Sequence, residues 1–474
     1  MDITNITAPN CAFAFRRVRI RTLFIINGRL DETRLKSALT TLIRDHWRLL
    51  GARIIGDLKK FQLFYHVPYE SFPKDYDLFK WSSEDVDSSI NKAIPELNAT
   101  PSKTAVLPID VRKLSAKFEP RDGAWPFHLG DAQSDPLLLV HLTLFTDATV
   151  MMLSIPHIVC DALGLGSILR AWLGLMQGET PAPMVGVGVD LLPGRKPFGE
   201  YAQEEVRGKR RTRVKGKLDG VLVPLGFVPQ LVRNPKEVRS VLLFPTGVVE
   251  GLRERVVQGF REKGEEDPGL TNLDVITAIL TKLSRLDARK KHMLSLSQTV
   301  NLRGRIPELS DPDAVKGFIQ NGLLYSTSRF RFHHGIPLGE IARGNRESIR
   351  RTLEPDTIDL YMAIQRELTR KCQGQHICEP LEKSYHVTNW SSAWRGLDFT
   401  PALESAAKEE RGGKVPKVVV LGEALELGLP CRFSSVVMCK TEEGYWINFS
   451  VAEPTLRAVK KYLAEDPELK NMRI

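Results

Sequence analysis

Cysteine is scarce in this chain: six in 474 residues, at positions 11, 160, 372, 378, 431 and 439, with no repeated spacing. That argues against a disulfide framework and fits a reducing compartment. An uninterrupted apolar run of membrane length is missing too. The most apolar stretch, from about 148 to 176, is broken by His157, Asp161, Gly164, Gly166 and Arg170, so it reads as buried strand and helix. The N-terminal segment places its arginines after its apolar residues, the wrong order for a secretory signal. There is no Walker A sequence. Gly186-Val-Gly188 lies in a proline-rich stretch and not between a strand and a helix, so it is no dinucleotide fingerprint. The basic run 207–217 lacks interleaved aromatics, which argues against a platform for single-stranded nucleic acid; it reads first as a solvated linker, with a phosphate-contacting patch or a nuclear signal as the alternatives. The expectation is a soluble, cytoplasmic protein with neither a nucleic-acid nor a membrane partner.

What is present suits an ordinary globular protein of more than one domain, since 474 residues exceed what a single core usually spans. The formal charge of +10 favours anionic partners, phosphorylated cofactors among them. Leu35, Ala38, Leu39, Leu42 and Ile43 recur at helical spacing after Asp31, a natural N-cap, so a helix is expected from Asp31 to Trp47, preceded by a strand over 22–27. Two continuous apolar runs, 136–145 and 149–155, read as a buried hairpin around Thr146-Asp147-Ala148. A helix follows, with Leu165, Ile168, Leu169, Trp172 and Leu173 on one face. From 179 to 235 prolines and glycines dominate. Beyond them come a strand over 237–244, a helix over 272–285 that Asn272 can cap, a strand over 293–302, a hairpin around Glu442-Glu443-Gly444 and a helix opened by Pro454. The expected organisation is an N-terminal domain over 1–178, a crossover linker over 179–235 and a C-terminal domain over 236–474, both domains mixed α/β.

One short segment carries chemistry. His157-Ile-Val-Cys-Asp161 places an imidazole and a carboxylate four residues apart where a buried strand stops. Neutral imidazole can take a proton from an attacking hydroxyl near pH 7, because its ordinary pKa of about 6.5 lies close to working pH. Cys160, inside the segment, suits a small core residue better than a nucleophile. Cys372, His376 and Cys378 offer three potential metal ligands with no evident fourth, and no metal site is expected.

The order of several segments resembles the BAHD acyltransferases and their fungal relatives, within the superfamily that includes chloramphenicol acetyltransferase and peptide-synthetase condensation domains. The resemblance covers most of the chain. Leu30–Leu39 followed by Trp47–Arg53 looks like the family's first helix and its Gly-Arg ending. Ser154-Ile-Pro-His-Ile-Val-Cys-Asp-Ala-Leu-Gly164 looks like its HxxxD signature, and Gln298–Arg305 with Pro307 and Asn321-Gly322 like its R-x-R segment. Val387-Thr-Asn-Trp390 and Leu397-Asp-Phe399 are similar to its later motifs. Ala162 stands where the family has glycine, and Asp398-Phe399 runs on to Thr400-Pro401 in place of Gly-Trp-Gly.

The resemblance implies a fold of two chloramphenicol-acetyltransferase-like domains, each a mixed sheet flanked by helices, with a tunnel between them. His157 would be the general base at its midpoint. Asp161 would play a structural part, paired with an arginine matched here by Arg303, which is also taken as the cofactor-side contact. Thr388, with Trp390 nearby, would stabilise the tetrahedral intermediate. Acyl-coenzyme A would be a co-substrate, with no permanently bound cofactor. The acceptor would be a small-molecule alcohol or amine, with a secondary-metabolite hydroxyl and an acetyl group expected first, and the enzyme a monomer. Two alternatives stay open: a condensation-type enzyme drawing its acyl group from a carrier protein, and a catalytically silent scaffold that binds a ligand.

Overall fold

A computed structural model describes the chain apart from residues 14, 58–61, 99–101, 122–124, 127–134, 195, 203–213, 215–217, 289, 376–377, 411, 413 and 425–429. Its strands, in chain order, are β1 (Asp2–Asn5), β2 (Arg19–Ile26), β3 (Arg53–Asp57), β4 (Gln62–Val67), β5 (Lys80–Asp85), β6 (Ala105–Leu107), β7 (Leu139–Leu144), β8 (Thr149–Pro156), β9 (Glu237–Phe244), β10 (His292–Asn301), β11 (Leu323–Phe332), β12 (Lys383–Asn389), β13 (Val418–Glu423), β14 (Ser434–Lys440) and β15 (Tyr445–Ala452). One sheet runs β13-β2-β8-β7-β5, a second β11-β10-β12-β14-β15-β9-β6, and a small third β1-β4-β3.

Both large sheets are mixed, with β5 parallel to β7 and β12 parallel to β10 and β14. Each half of the chain lends an edge strand to the other half's sheet. β13, from the second half, pairs antiparallel with β2, and β6, from the first half, pairs with β9. β2, β7 and β8 are buried along their whole length, which is why apolar residues stand on both faces of each instead of alternating, although β2 opens with the buried Arg19 and Arg21. β7 and β8 form the expected hairpin, closed by Phe145 N–H donating to the Ala148 carbonyl at 2.9 Å.

The helix after the hairpin spans Ala162–Leu175 and buries Leu165, Ile168, Leu169, Trp172 and Leu173 against the five-stranded sheet. Its Trp172 Nε1 donates to the Leu35 carbonyl at 2.9 Å, tying it to the helix Glu32–Thr41. Asp31 does cap that first helix, accepting from Arg34 N. The helix stops short of Trp47, however. A wide turn over Leu42–His46 lets Trp47 N–H reach the Leu42 carbonyl, which swings the indole into the core with its Nε1 bonded to the Ala182 carbonyl at 2.9 Å.

Two further elements differ from the sequence reading. The proline-rich connection contains a helix, Asp219–Arg233, despite Pro224 and Pro229 within it, because Val223, Phe227 and Leu231 pack on Phe433 and Cys378. The basic run 207–217 lies outside the described residues except for Val214. The helix Asn272–Leu283 is capped one residue earlier than expected, by Thr271, whose hydroxyl accepts from Asp274 N while the Asp274 carboxylate accepts from Thr271 N. β14, β15 and the closing helix Glu453–Glu465 stand where the sequence places them. No described helix is long and apolar enough to cross a membrane.

Candidate active site

β8 ends at Pro156 and the next helix begins at Ala162, so His157 sits at the turn where the buried sheet gives out. Hydrogen bonds to its main chain from two sides hold it. Its N–H donates to the Val18 carbonyl at 2.9 Å, and its own carbonyl accepts from Asn321 Nδ2 at 2.8 Å. Asn321 is in turn gripped by Asn10 Oδ1, which accepts from its N–H at 2.9 Å and its Nδ2 at 3.0 Å, while Asn10 Nδ2 donates to Thr7 Oγ1 and Gln320 Oε1. The N-terminal segment and the second half of the chain thus meet on the histidine.

The imidazole is half-buried and stacked on Phe15, with ring centroids 4.4 Å apart and planes 20° from parallel. Desolvation draws its pKa below 6.5, against opposing pulls from its own main chain and from Asp161. It is therefore neutral at pH 7, the form that can accept a proton. Its Nδ1 makes no hydrogen bond to the described residues.

Asp161 is fully committed to holding the loop. It accepts from Arg303 Nη1 at 2.9 Å and Nη2 at 3.0 Å, caps the following helix through Gly164 N at 2.8 Å, and accepts from Gly322 N at 3.1 Å. A carboxylate has about four acceptor sites, so none remains for a histidine proton. Arg303 spends its five N–H groups on Asp161, Asn301 and the Phe318 and Gln320 carbonyls. The guanidinium, expected both as the partner of Asp161 and as a cofactor contact, is placed as the partner and keeps no donor for a cofactor phosphate. Gly164 is required here for close approach, since a Cβ would lie 1.8 Å from the Ile319 carbonyl oxygen.

His157 lines a cavity of about 570 Å³ between the two large sheets, whose far wall is β10 and β12. Thr388 is on that wall and Trp390 at its edge, the latter buried against Gly422 of β13. His386 shares the face of Thr388, two residues away on β12, and bonds through Nε2 to Thr299 Oγ1 at 3.1 Å. Burial pushes the His386 pKa down to about 4. Arg305, Arg346 and Arg395 add positive charge to the lining, and burial together with the neighbouring Arg346 lowers the Arg305 pKa. The Asp398-Phe399 segment is used elsewhere: Phe399 packs with Phe24 in the core and Asp398 bonds to Thr400 N.

Burial pushes the Cys160 thiol well above its ordinary range, which leaves no thiolate for nucleophilic attack. Among the described residues no group of three His, Cys, Asp or Glu side chains could hold a metal ion; His376 lies outside those residues. The sequence reading passed over Phe15, Tyr325 and His386. Alternation along β12 from Thr388 was signal enough for His386. Nothing local marked Phe15, which stacks on His157, or Tyr325, which lines the same cavity beside His386; both arrive only through the tertiary fold.

No family model matches the chain. The acetyltransferase adrJ of Penicillium rubens is 26% identical over 425 residues, covering 84% of this chain and 82% of its own length. A protein named as the transcriptional regulator sdnM, from Sordaria araneosa, is 25% identical over 454 residues, covering 88% of this chain and 87% of its own. Among solved structures, F. sporotrichioides TRI101 complexed with coenzyme A and T-2 superposes with a TM-score of 0.66 at 12% identity, covering 97% of each chain. The chain shares that two-domain fold.

Proposed function

We propose that the chain is a fungal BAHD-like acyltransferase that transfers an acyl group, acetyl first among them, from acyl-coenzyme A to a hydroxyl of a small secondary metabolite, with His157 as the general base. The observation that carries this reading is a neutral, partly desolvated imidazole on the wall of a cavity large enough for a pantetheine arm, fixed in place by both halves of one chain. The chain works as a monomer in this reading, because both walls of the cavity are its own.

His157 takes the acceptor's proton as the oxygen attacks the thioester carbonyl. The tetrahedral oxyanion is met by the Thr388 hydroxyl, beside Trp390. As the C–S bond breaks, the imidazolium returns the proton to the sulfur, releasing the ester and free coenzyme A. A placed base contributes about 10²–10⁴-fold and oxyanion donors a comparable factor. Arg305, Arg346 and Arg395 supply the positive charge that suits the phosphates of coenzyme A. TRI101 was solved with coenzyme A and T-2, which fits a coenzyme A donor and a hydroxylated acceptor here.

The test is thiol release from acetyl-CoA and longer acyl-CoAs with a panel of hydroxylated small molecules, for the native enzyme and His157→Ala. Turnover that vanishes in a folded His157→Ala protein supports the base; turnover unchanged in it overturns the mechanism. A second reading, a silent ligand-binding scaffold, draws on the Phe15 ring that covers one face of His157. Acyl-CoA binding with no thiol release under any condition would favour that reading.

A further inference from the structure

Phe15 stands between two cavities. Its ring lines the large one beside His157, and it also lines a small apolar cavity on its other side; Tyr325 is the second side chain shared by both. The small cavity is walled by Phe13, Leu324, Tyr361 and Leu368, with Gln373 at its edge, and holds only about 40 Å³, room for little more than a water. Gln373 Oε1 is buried there without a hydrogen-bond partner among the described residues.

We propose that Phe15 is a movable partition: with its ring stacked on His157 it keeps water off that face of the base, and it swings aside when the apolar body of an acceptor enters from the large cavity and takes the ring's place. This rests on the acyltransferase reading above and adds the acceptor's chemistry to it. The acceptor is a largely hydrocarbon alcohol whose body lies in the large cavity, with one apolar end taking the place vacated by the Phe15 ring against Leu324, Tyr361 and Leu368 and carrying a second hydroxyl able to donate to Gln373 Oε1.

Three features support the partition. Phe15 belongs to a turn and not to a strand or helix, its N–H bonded to the Ala12 carbonyl at 2.9 Å, so its side chain can rotate without breaking a sheet. It is 3% exposed and held by a ring stack and not by a hydrogen bond. Ring stacking is a small energy beside that of burying a hydrocarbon skeleton, so an apolar acceptor can displace the ring while water cannot. The arrangement also has a purpose: a base exposed to water beside a bound thioester would catalyse hydrolysis. In that side reaction His157 takes a proton from water, the hydroxide attacks the thioester carbon, the C–S bond breaks and the thiolate is protonated.

The experiment is thiol release from acetyl-CoA without any acceptor, for the native enzyme, Phe15→Ala, Phe15→Leu and the double variant Phe15→Ala/His157→Ala, with acetyl-CoA binding measured alongside. Phe15→Ala should hydrolyse acetyl-CoA at least about tenfold faster than the native enzyme, well within what a placed base contributes. Phe15→Leu, which keeps bulk without the flat ring and serves if the alanine variant does not fold, should show a smaller rise, and the double variant none. Hydrolysis unchanged in a Phe15→Ala or Phe15→Leu protein that still binds acetyl-CoA overturns the partition. A fast double variant overturns the base assignment instead, and the partition with it as far as it shields His157. With acceptor present, Phe15→Ala should raise the ratio of hydrolysis to transfer, a ratio that a merely structural residue would leave alone.

Discussion

Asp161 and Arg303, 142 residues apart in the chain, meet in a two-pronged ion pair with N–O distances of 2.9 and 3.0 Å, both side chains almost wholly buried. The pair joins the histidine loop to the segment after β10. Removing one partner strands a charge out of water, which typically costs about 3–5 kcal/mol. Asp161→Ala and Arg303→Ala should each lower stability by that order in urea unfolding. The double variant should be less destabilised than the sum of the singles by roughly 1–3 kcal/mol, because no orphan charge remains. Strict additivity would mean that the pair contributes nothing as a pair.

Two positions in the first turn of the helix after Asp161 should respond very differently. A Cβ on Gly164 would stand 1.8 Å from the Ile319 carbonyl oxygen, which is main chain and cannot step aside. Gly164→Ala should therefore cost about 1–3 kcal/mol or more. It should also reduce turnover, since Ile319 leads into the Gln320–Gly322 stretch that holds His157 and Asp161. Ala162 occupies the first turn of the helix without such a contact. Ala162→Gly should cost no more than about 1 kcal/mol and leave activity intact. Melting temperature and turnover of the two variants check this; a Gly164→Ala protein as stable as the native one would show that the close approach can relax.

Much of this architecture was legible because it is written locally. His157 and Asp161 lie within five residues, and the strand before them and the helix after them each announce themselves by apolar pattern. The Asp161–Arg303 pairing came from the resemblance, and the geometry bears out the contact. The exchanged edge strands were not legible. The strand Val418–Glu423 was not assigned from the sequence, and nothing in it says that its partner is Arg19–Ile26 at the other end of the chain. The helix Asp219–Arg233 was hidden because Pro224 and Pro229 look like loop texture, while the packing of Phe227 on Phe433 is visible only in three dimensions. Phe15 and Tyr325 belong to the same class: each lies far from His157 in sequence and reaches its site through tertiary contacts.

The lowered pKa of His157 fixes a sign for the pH dependence. If His157 is the base it must be neutral to act, so kcat/KM falls as the ring is protonated, and with the pKa below 6.5 the midpoint of that fall lies below pH 6.5. The surroundings do not reverse this. Asp161 favours the imidazolium but is neutralised by Arg303, Asn321 and Phe15 carry no charge, and Arg305, Arg346 and Arg395 in the cavity lining oppose a further positive charge. Tyr325, pushed up to about 12, and His386, pushed down to about 4, both stay neutral through the window. A profile measured from pH 5 to 8 should rise to a plateau at its alkaline end, with its acid midpoint below 6.5. A midpoint at or above 6.5 would contradict the desolvated setting of the ring.

Thr388 is the residue whose role the geometry leaves most open to test. It stands on the cavity wall opposite the histidine loop, on the same strand face as His386, where a hydroxyl can donate to an oxyanion forming between the two walls. Valine keeps its shape and removes only the donor. If the hydroxyl meets the tetrahedral intermediate, Thr388→Val should lower kcat by about 10²–10³-fold, the usual cost of one oxyanion donor. The KM for acyl-CoA should stay within a few fold, because the bond is made in the transition state and not in the bound thioester. Thr388→Ser, which restores a donor on a less constrained side chain, should recover a large part of that loss. A Thr388→Val enzyme with near-native kcat would return Thr388 to an ordinary strand residue, and a rise in KM alone would make it a binding contact for the donor instead.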